Sequence, residues 1–256
     1  AKSFTILDDG DSDSLLNELI RDLDPDFFKS KENPKAKPIK GLISFARNID
    51  ASFEEVAKGR YPSNTELCAK IQSFAKVYQQ TKLERGLADY DDLLVYWLQV
   101  LENNQDAAEY YQNRFSYVLV DEYQDVNSLQ ARIVDKIAAN HQVMAVGDDA
   151  QCIYTWRGAD LDQIMSFPDR HPGTKIFKIE TNYRSSPEIL ELANGILESR
   201  AVETSYSKKL KPSRPHQDLP VLVPTMDTYQ QADFVLSKVE QLYDQGVDYD
   251  QIAILY

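Results

Sequence analysis

Two adjacent carboxylates, Asp121 and Glu122, close an apolar run that reads VLVDEYQD from Val118 to Asp125. A buried strand ending in acids puts charge at the carboxyl edge of a sheet, where open α/β sheets bind ligands. Acids so placed can do two jobs in nucleotide hydrolysis: the first helps hold Mg²⁺ and the second orients or deprotonates the attacking water. A pair of acids capping a strand-to-helix turn has the same spelling. Two further blocks follow at domain-scale spacing, VGDDAQCIYTWRGAD (Val146 to Asp160) and TNYRSSPEIL (Thr181 to Leu190). Gln151 carries an amide that can accept from water and donate to phosphate at once. Tyr154 and Trp156 offer aromatic faces that stack on a nucleobase without reading it, although aromatics beside a turn are also ordinary core residues. Arg184 is a permanent cation with a planar fork of donors suited to phosphate oxygens. Its neighbours Ser186 and Pro187 also fit the cap and first turn of a helix.

These residues need a scaffold, and the chain is long enough to supply one. It has 256 residues, 43% hydrophobic and 27% charged, ordinary values for a globular protein with a core. No apolar run approaches the ~20 residues of a membrane span, and the polar, acidic opening AKSFTILDDGDSDS is no signal peptide. Two cysteines, Cys68 and Cys152, argue against a disulfide scaffold and fit a reducing cytoplasm. A net charge of -13 argues against a broad basic face for nucleic acid. It leaves room for a local groove, and two stretches have the opposite sign: Lys29, Lys31, Lys35, Lys37, Lys40 and Arg47, then Lys208, Lys209, Lys211 and Arg214. Solvated loops would look the same.

The pattern is helical as far as about Arg114. SDSLLNELIRDL, TELCAKIQSFAKVYQQTKLERG, YDDLLVYWLQVL and NNQDAAEYYQNRF read as helices, with Gly86 a stop, and PDFFKSKENPKAKP reads as a loop. From Phe115 five apolar runs, SYVLV, QVMAVG, TKIFKIE, LPVLVPT and QIAILY, alternate with helical segments. That alternation predicts parallel α/β layers.

Taken together, the three chemical blocks resemble motifs II, III and IV of the UvrD/Rep/PcrA-like superfamily 1 DNA helicases. The resemblance implies partial RecA-like P-loop NTPase domains, each a parallel sheet with flanking helices, plus an N-terminal helical insertion subdomain. It divides the chain into a 1B-like insertion (1–87), the later part of a first RecA-like domain, 1A (88–180), and the start of a second, 2A (181–256). ADYDDLL (Ala88 to Leu94) resembles the family segment that returns to 1A. By the same resemblance Asp121 and Glu122 are the metal and catalytic acids, and Gln151 senses the γ-phosphate or the water. Tyr183 stacks on adenine, and Arg184 is an arginine finger on the γ-phosphate. Tyr154, Trp156 and Arg157 face single-stranded DNA. ATP and Mg²⁺ are the implied cofactors, single-stranded DNA and duplex junctions the implied partners, and the cytoplasm the implied location; loading partners stay undefined.

The implied function is a fragment of an ATP-dependent DNA helicase that moves 3′ to 5′ on single-stranded DNA. None of the nine glycines is followed by lysine, so no G-x-x-x-x-G-K-[ST] loop is present. The expectation is that the P-loop precedes Ala1, the last motifs follow Tyr256, and the piece alone is inactive. A non-catalytic nucleic-acid-binding or interaction module that kept the fold is the rival, and a helicase–nuclease lies within the enzyme class.

Overall fold

The computed structural model describes residues 4–139, 142–199 and 206–255, and of Arg157 the backbone only. The chain divides into two compact units. Unit 1 comprises 1–177 with 200–207; unit 2 comprises 178–199 with 208–256.

Unit 1 begins with a helical block. Helix α1 (Asp9–Leu23) starts where Asp8 accepts from the Asp11 amide at 2.8 Å, and it buries Leu15, Leu16, Leu19 and Ile20 on one stripe. Helix α2 (Ala36–Asn48) buries Ile39, Ile43 and Ala46, again at helical spacing. Helix α3 (Phe53–Arg60) opens with a Ser52/Glu55 capping box. Helix α4 (Thr65–Arg85) is capped by Asn64 and stops at Gly86, whose φ of 64° is left-handed and free of strain only for glycine. Their apolar stripes meet in one core, where Phe27 packs edge-on against Phe74. A short strand β1 (Thr5–Ile6) pairs in parallel with β2 (Leu87–Ala88), bringing both ends of the block side by side.

The segment PDFFKSKENPKAKP is only partly a loop. It holds a short 3₁₀ turn (Phe27–Lys29), and α2 starts inside it at Ala36. Pro38 is the third residue of α2, where no intrahelical N–H bond is lost.

Helix α5 (Tyr90–Asn103), α6 (Gln105–Arg114) and α7 (Ser128–Ile137) share a second core of Leu98, Leu101, Leu129 and Ile133. Strand β3 (Tyr117–Val120) pairs in parallel with β4 (Gln142–Ala145), with Val118 opposite Val143 and Leu119 opposite Met144. Below them Tyr123, Val126, Ala131, Ile164 and Phe167 form a third core, shared with α8 (Leu161–Met165) and α9 (Phe167–Arg170).

In unit 2, β5 (Thr181–Asn182) pairs in parallel with β6 (Lys211–Pro212), beside α10 (Pro187–Glu198); α11 (Thr228–Asp244) follows. SYVLV and QVMAVG therefore form strands as expected, but not buried ones: Tyr117, Leu119 and Met144 are exposed. TKIFKIE, LPVLVPT and the described part of QIAILY do not form strands, and the short β5 and β6 lie just beyond or between them. Unpaired apolar segments cannot satisfy a ladder, and Phe177, Leu222 and Leu255 stay exposed. Tyr256 lies outside the described residues. The chain is thus a mixture of helices and small parallel sheets. Among the described residues no helix is long and apolar enough to cross a membrane.

Candidate functional site

The acids Asp121 and Glu122 stand directly after β3, both exposed. Asp121 Oδ1 accepts from the Glu122 amide at 2.9 Å. Glu122 has φ 50° and ψ 43°, a left-handed backbone that costs a non-glycine residue roughly 1–2 kcal/mol. The next residues hold it there. The Tyr123 amide donates to Val146 O at 2.8 Å, its ring is fully buried edge-on against Phe167, and its hydroxyl accepts from Arg170 at 2.9 Å. Burial pushes the Tyr123 hydroxyl pKa above its ordinary value, so it stays a neutral clamp.

Gln124 is 1% exposed and reaches in two directions. Its Nε2 donates to Glu122 Oε2 at 2.8 Å, and its Oε1 accepts from the Asp148 amide at 3.0 Å. Gly147 permits that approach: a Cβ there would lie 2.7 Å from Gln124 Oε1 and 2.8 Å from Ile164 Cδ1. Asp148 in turn caps the 3₁₀ turn Asp149–Gln151 through the Ala150 amide at 2.9 Å. Its Oδ2 accepts from Gln151 Nε2 at 2.9 Å, so Gln151 sits exposed on a fixed turn.

The second half of this loop presents Tyr154 and Trp156, with ring centroids 6.4 Å apart and planes inclined at 56°. Trp156 is 65% exposed, which decides against a core role. The backbone of Arg157 closes the 3₁₀ turn Thr155–Arg157, while its side chain lies outside the described residues. Gly158 follows at φ 90°, so tightly packed on α2 that a Cβ would come 2.9 Å from Asn48 Cβ. A bridge between Asn127 and Ala159 ties the loop back to the segment after the acids. One rigid piece of unit 1 therefore carries Asp121, Glu122, Gln151, Tyr154 and Trp156.

In unit 2, Asn182 Oδ1 accepts from the amides of Arg184 and Ser185 at 2.9 and 2.8 Å, an Asx turn that leaves Tyr183 and Arg184 exposed. Ser186 occupies the cap position and Pro187 the first turn of α10, but the Ser186 side chain makes no capping bond. Residues 211–217 strap this turn. Arg214 Nη1 donates to Arg184 O at 2.7 Å, the Gln217 amide donates to Glu188 Oε2 at 3.1 Å, and His216 Nδ1 lies 2.5 Å from Glu188 Oε1. The backbone N–H of Glu188 itself, then His216, hold the pKa of the Glu188 carboxyl at about 2.

Sequence reasoning missed a buried ionic cluster. Lys82 is fully buried between Asp89 and Asp92, 2.5 Å from Asp92 Oδ2 and in closer contact with Asp89. Arg47 lies 3.3 Å from Asp89 and 3.1 Å from Asp92, and Tyr78 donates to Asp89 Oδ2 at 3.0 Å. Burial alone would raise the Asp89 pKa; the hydrogen bond from Lys82 and the charges of Lys82 and Arg47 outweigh it and the carboxyl ends below its usual range. Asp89 and Asp92 also form the capping box of α5. The basic stretches are partly spent in the same way. Lys29 pairs with Asp26, Lys40 with Asp9 and Asp13, and Lys211 with Glu180. A cavity of about 330 Å³ opens among α2, α3 and α4, lined by Arg47, Phe53, Glu54 and Lys76 and by none of Asp121, Glu122, Gln151, Tyr154, Trp156, Tyr183 and Arg184.

Residues 1–172 match the UvrD/REP helicase N-terminal domain. The chain belongs to the UvrD/REP helicase family. Over its full length this UvrD/REP chain is 32% identical to the ATP-dependent DNA helicase PcrA of Bacillus subtilis (strain 168) and 31% identical to that of Leuconostoc citreum. It spans 34% and 33% of those two proteins, about a third of the length of the curated relatives it matches. As a donor set, the exposed acids of this UvrD/REP chain suit a hard divalent ion that takes one or two carboxylates and keeps the rest of its shell for water and phosphate oxygens.

Proposed function

We propose that this chain is the part of an ATP-dependent DNA helicase that joins nucleotide hydrolysis to single-stranded DNA. The observation that carries the reading is the continuity in unit 1: the acids after β3 are hydrogen-bonded through Gln124 to the loop that bears Gln151 and the exposed pair Tyr154 and Trp156. Hydrolysis and base stacking thereby share one rigid element. The relatives named ATP-dependent DNA helicase support the same reading.

In this proposal Asp121, with Glu122 beside it, holds Mg²⁺, which neutralises charge on the phosphates when bound. Glu122 accepts the proton of the attacking water. Gln151 touches that water or the γ-phosphate, and its bond to Asp148 sets where its amide points. Tyr183 stacks on adenine and Arg184 stabilises the γ-phosphate as charge develops. Tyr154, Trp156 and Arg157 contact bases and backbone without sequence preference, as a motor on any sequence requires. Residues 1–87 act as the helical insertion, 88–180 as the later part of the first RecA-like domain and 181–256 as the start of the second. Movement is 3′ to 5′ on single-stranded DNA, with unwinding at duplex junctions, in the cytoplasm.

The test is ATP hydrolysis by the full-length protein, with and without oligo-dT, beside Glu122→Gln. DNA-stimulated turnover that collapses in the variant is the expected result. Absence of turnover in the wild type with DNA binding retained would overturn the motor reading and leave a binding module.

A further inference from the structure

We propose that Gln124 is a positioning residue that aims the Glu122 carboxylate and ties it to the DNA-facing loop. The inference rests on the ATPase reading of Asp121 and Glu122 above. Neither the acids nor the aromatics need a glutamine two residues on for their own chemistry. Its value lies in its geometry.

An uncharged amide is suited to this position. The group must donate to a carboxylate on one side and accept from a backbone N–H on the other, and an amide offers both on one rigid plane. Gln124 does so while 1% exposed, so water does not substitute for either bond. A second contact of Nε2, 3.5 Å to Asp125 Oδ2, is long and leaves Glu122 as the principal partner. The oxygen is held on the loop side by Gly147, the only residue type that lets the Gln124 Oε1 and backbone come so close.

Two consequences follow. The Glu122 backbone is already fixed by its left-handed turn, but its carboxylate is exposed and has several rotamers open to it. The bond from Nε2 selects one, and orientation of a general base is worth much: a misplacement of about 1 Å can cost ~10²-fold in rate. The bond from Oε1 reaches Asp148, and Asp148 holds both Ala150 and Gln151. A shift of the Tyr154–Trp156 loop on binding DNA is therefore transmitted to the acid through a single side chain. DNA stimulation of hydrolysis runs through Gln124.

The two halves of the amide can be separated. Gln124→Met keeps the length and removes both bonds. Gln124→Glu keeps an oxygen facing the Asp148 amide and replaces the amide donor to Glu122 with a second carboxyl. Both are measured in the full-length protein by steady-state ATP hydrolysis over ATP and oligo-dT, with oligo-dT affinity by fluorescence anisotropy and melting temperature as controls. We expect kcat to fall about 10²-fold in both variants, with KM for ATP and oligo-dT affinity within about twofold of wild type. The ratio of DNA-stimulated to basal turnover should drop towards one in both variants, because the route from Asp148 to Glu122 needs both bonds. Wild-type kcat in a folded Gln124→Met would overturn the proposal. So would a parallel loss of kcat, KM, DNA affinity and melting temperature in both variants, the signature of a merely structural residue. Wild-type turnover in Glu122→Gln would remove the acid's role, and with it the proposal, whatever Gln124 does.

Discussion

Replacing Lys82 with methionine tests whether the buried ionic cluster is a keystone of unit 1. Methionine matches the lysine stem in length, so little packing is lost. The charge is lost completely, because Lys82 is wholly buried and is the common partner of Asp89 and Asp92. Arg47 stays within 3.3 Å of both acids, so one cation remains for two carboxylates. Breaking a buried pair by removing one partner typically costs about 3–5 kcal/mol. At roughly 2–4 °C per kcal/mol for a domain of this size, that is a fall of roughly 6–20 °C in melting temperature. The chain has two tryptophans, Trp97 and Trp156. In a Trp156→Phe background the fluorescence of Trp97, on α5, reports the transition next to the cluster.

The pH dependence fixes the sign. The folded Asp89 pKa lies below its ordinary 3.8, so its pairing contributes stability above about that pH and loses it as the pH falls through the folded value. The gap between wild type and Lys82→Met should be widest near neutrality and should narrow below about pH 4 as Asp89 protonates. A gap under 1 kcal/mol at pH 7, or one that persists unchanged at pH 3, would refute the argument.

Four further outcomes are expected. Trp156→Ala should weaken oligo-dT binding by roughly 5- to 150-fold, the equivalent of ~1–3 kcal/mol for one stacked base; unchanged affinity in a binding titration would place the DNA elsewhere. Arg184→Ala should lower kcat by about 10³-fold or more if the side chain acts as a finger, and a change confined to KM would reduce it to a binding contact. Gly158→Ala forces a Cβ to 2.9 Å from Asn48 at a φ of 90° and should cost about 1–3 kcal/mol in urea unfolding; a neutral variant would show that the loop rides free of α2. An NMR titration of the Glu188 carboxyl should give a midpoint at about 2, moving up in His216→Ala; a midpoint near the ordinary 4.5 would mean that the 211–217 strap is open in solution.

What could be read from the sequence was local. Helix α4 and its Gly86 stop, α5 and the strands β3 and β4 all follow from periodicity and punctuation. Helix α2 was hidden by the three prolines and four lysines of PDFFKSKENPKAKP, although Pro38 sits in the first turn, where helices tolerate it. The apolar runs TKIFKIE and LPVLVPT carry strand composition, but a strand exists only with a neighbour to bond, and composition does not name one. At the site, the acids, Gln151 and the aromatics were visible because each stands in a recognisable block. Gln124 stood in the same block without a role, since its partner Asp148 is 24 residues away and the close approach depends on Gly147. Lys82 stands in the last turn of α4, where cations ordinarily face solvent; only the placement of Asp89 and Asp92 over it shows that it is buried.

On the proposed role of Glu122, its left-handed backbone sets stability and activity against each other at a single residue. Glycine or asparagine would sit there with less strain. A chain chosen for folding alone would use one of them and lose the carboxylate that the proposed chemistry needs. Sequence variants enriched purely by thermal selection should therefore accumulate inactive members at position 122 first, and the loss would be invisible to any screen that scores only folded protein.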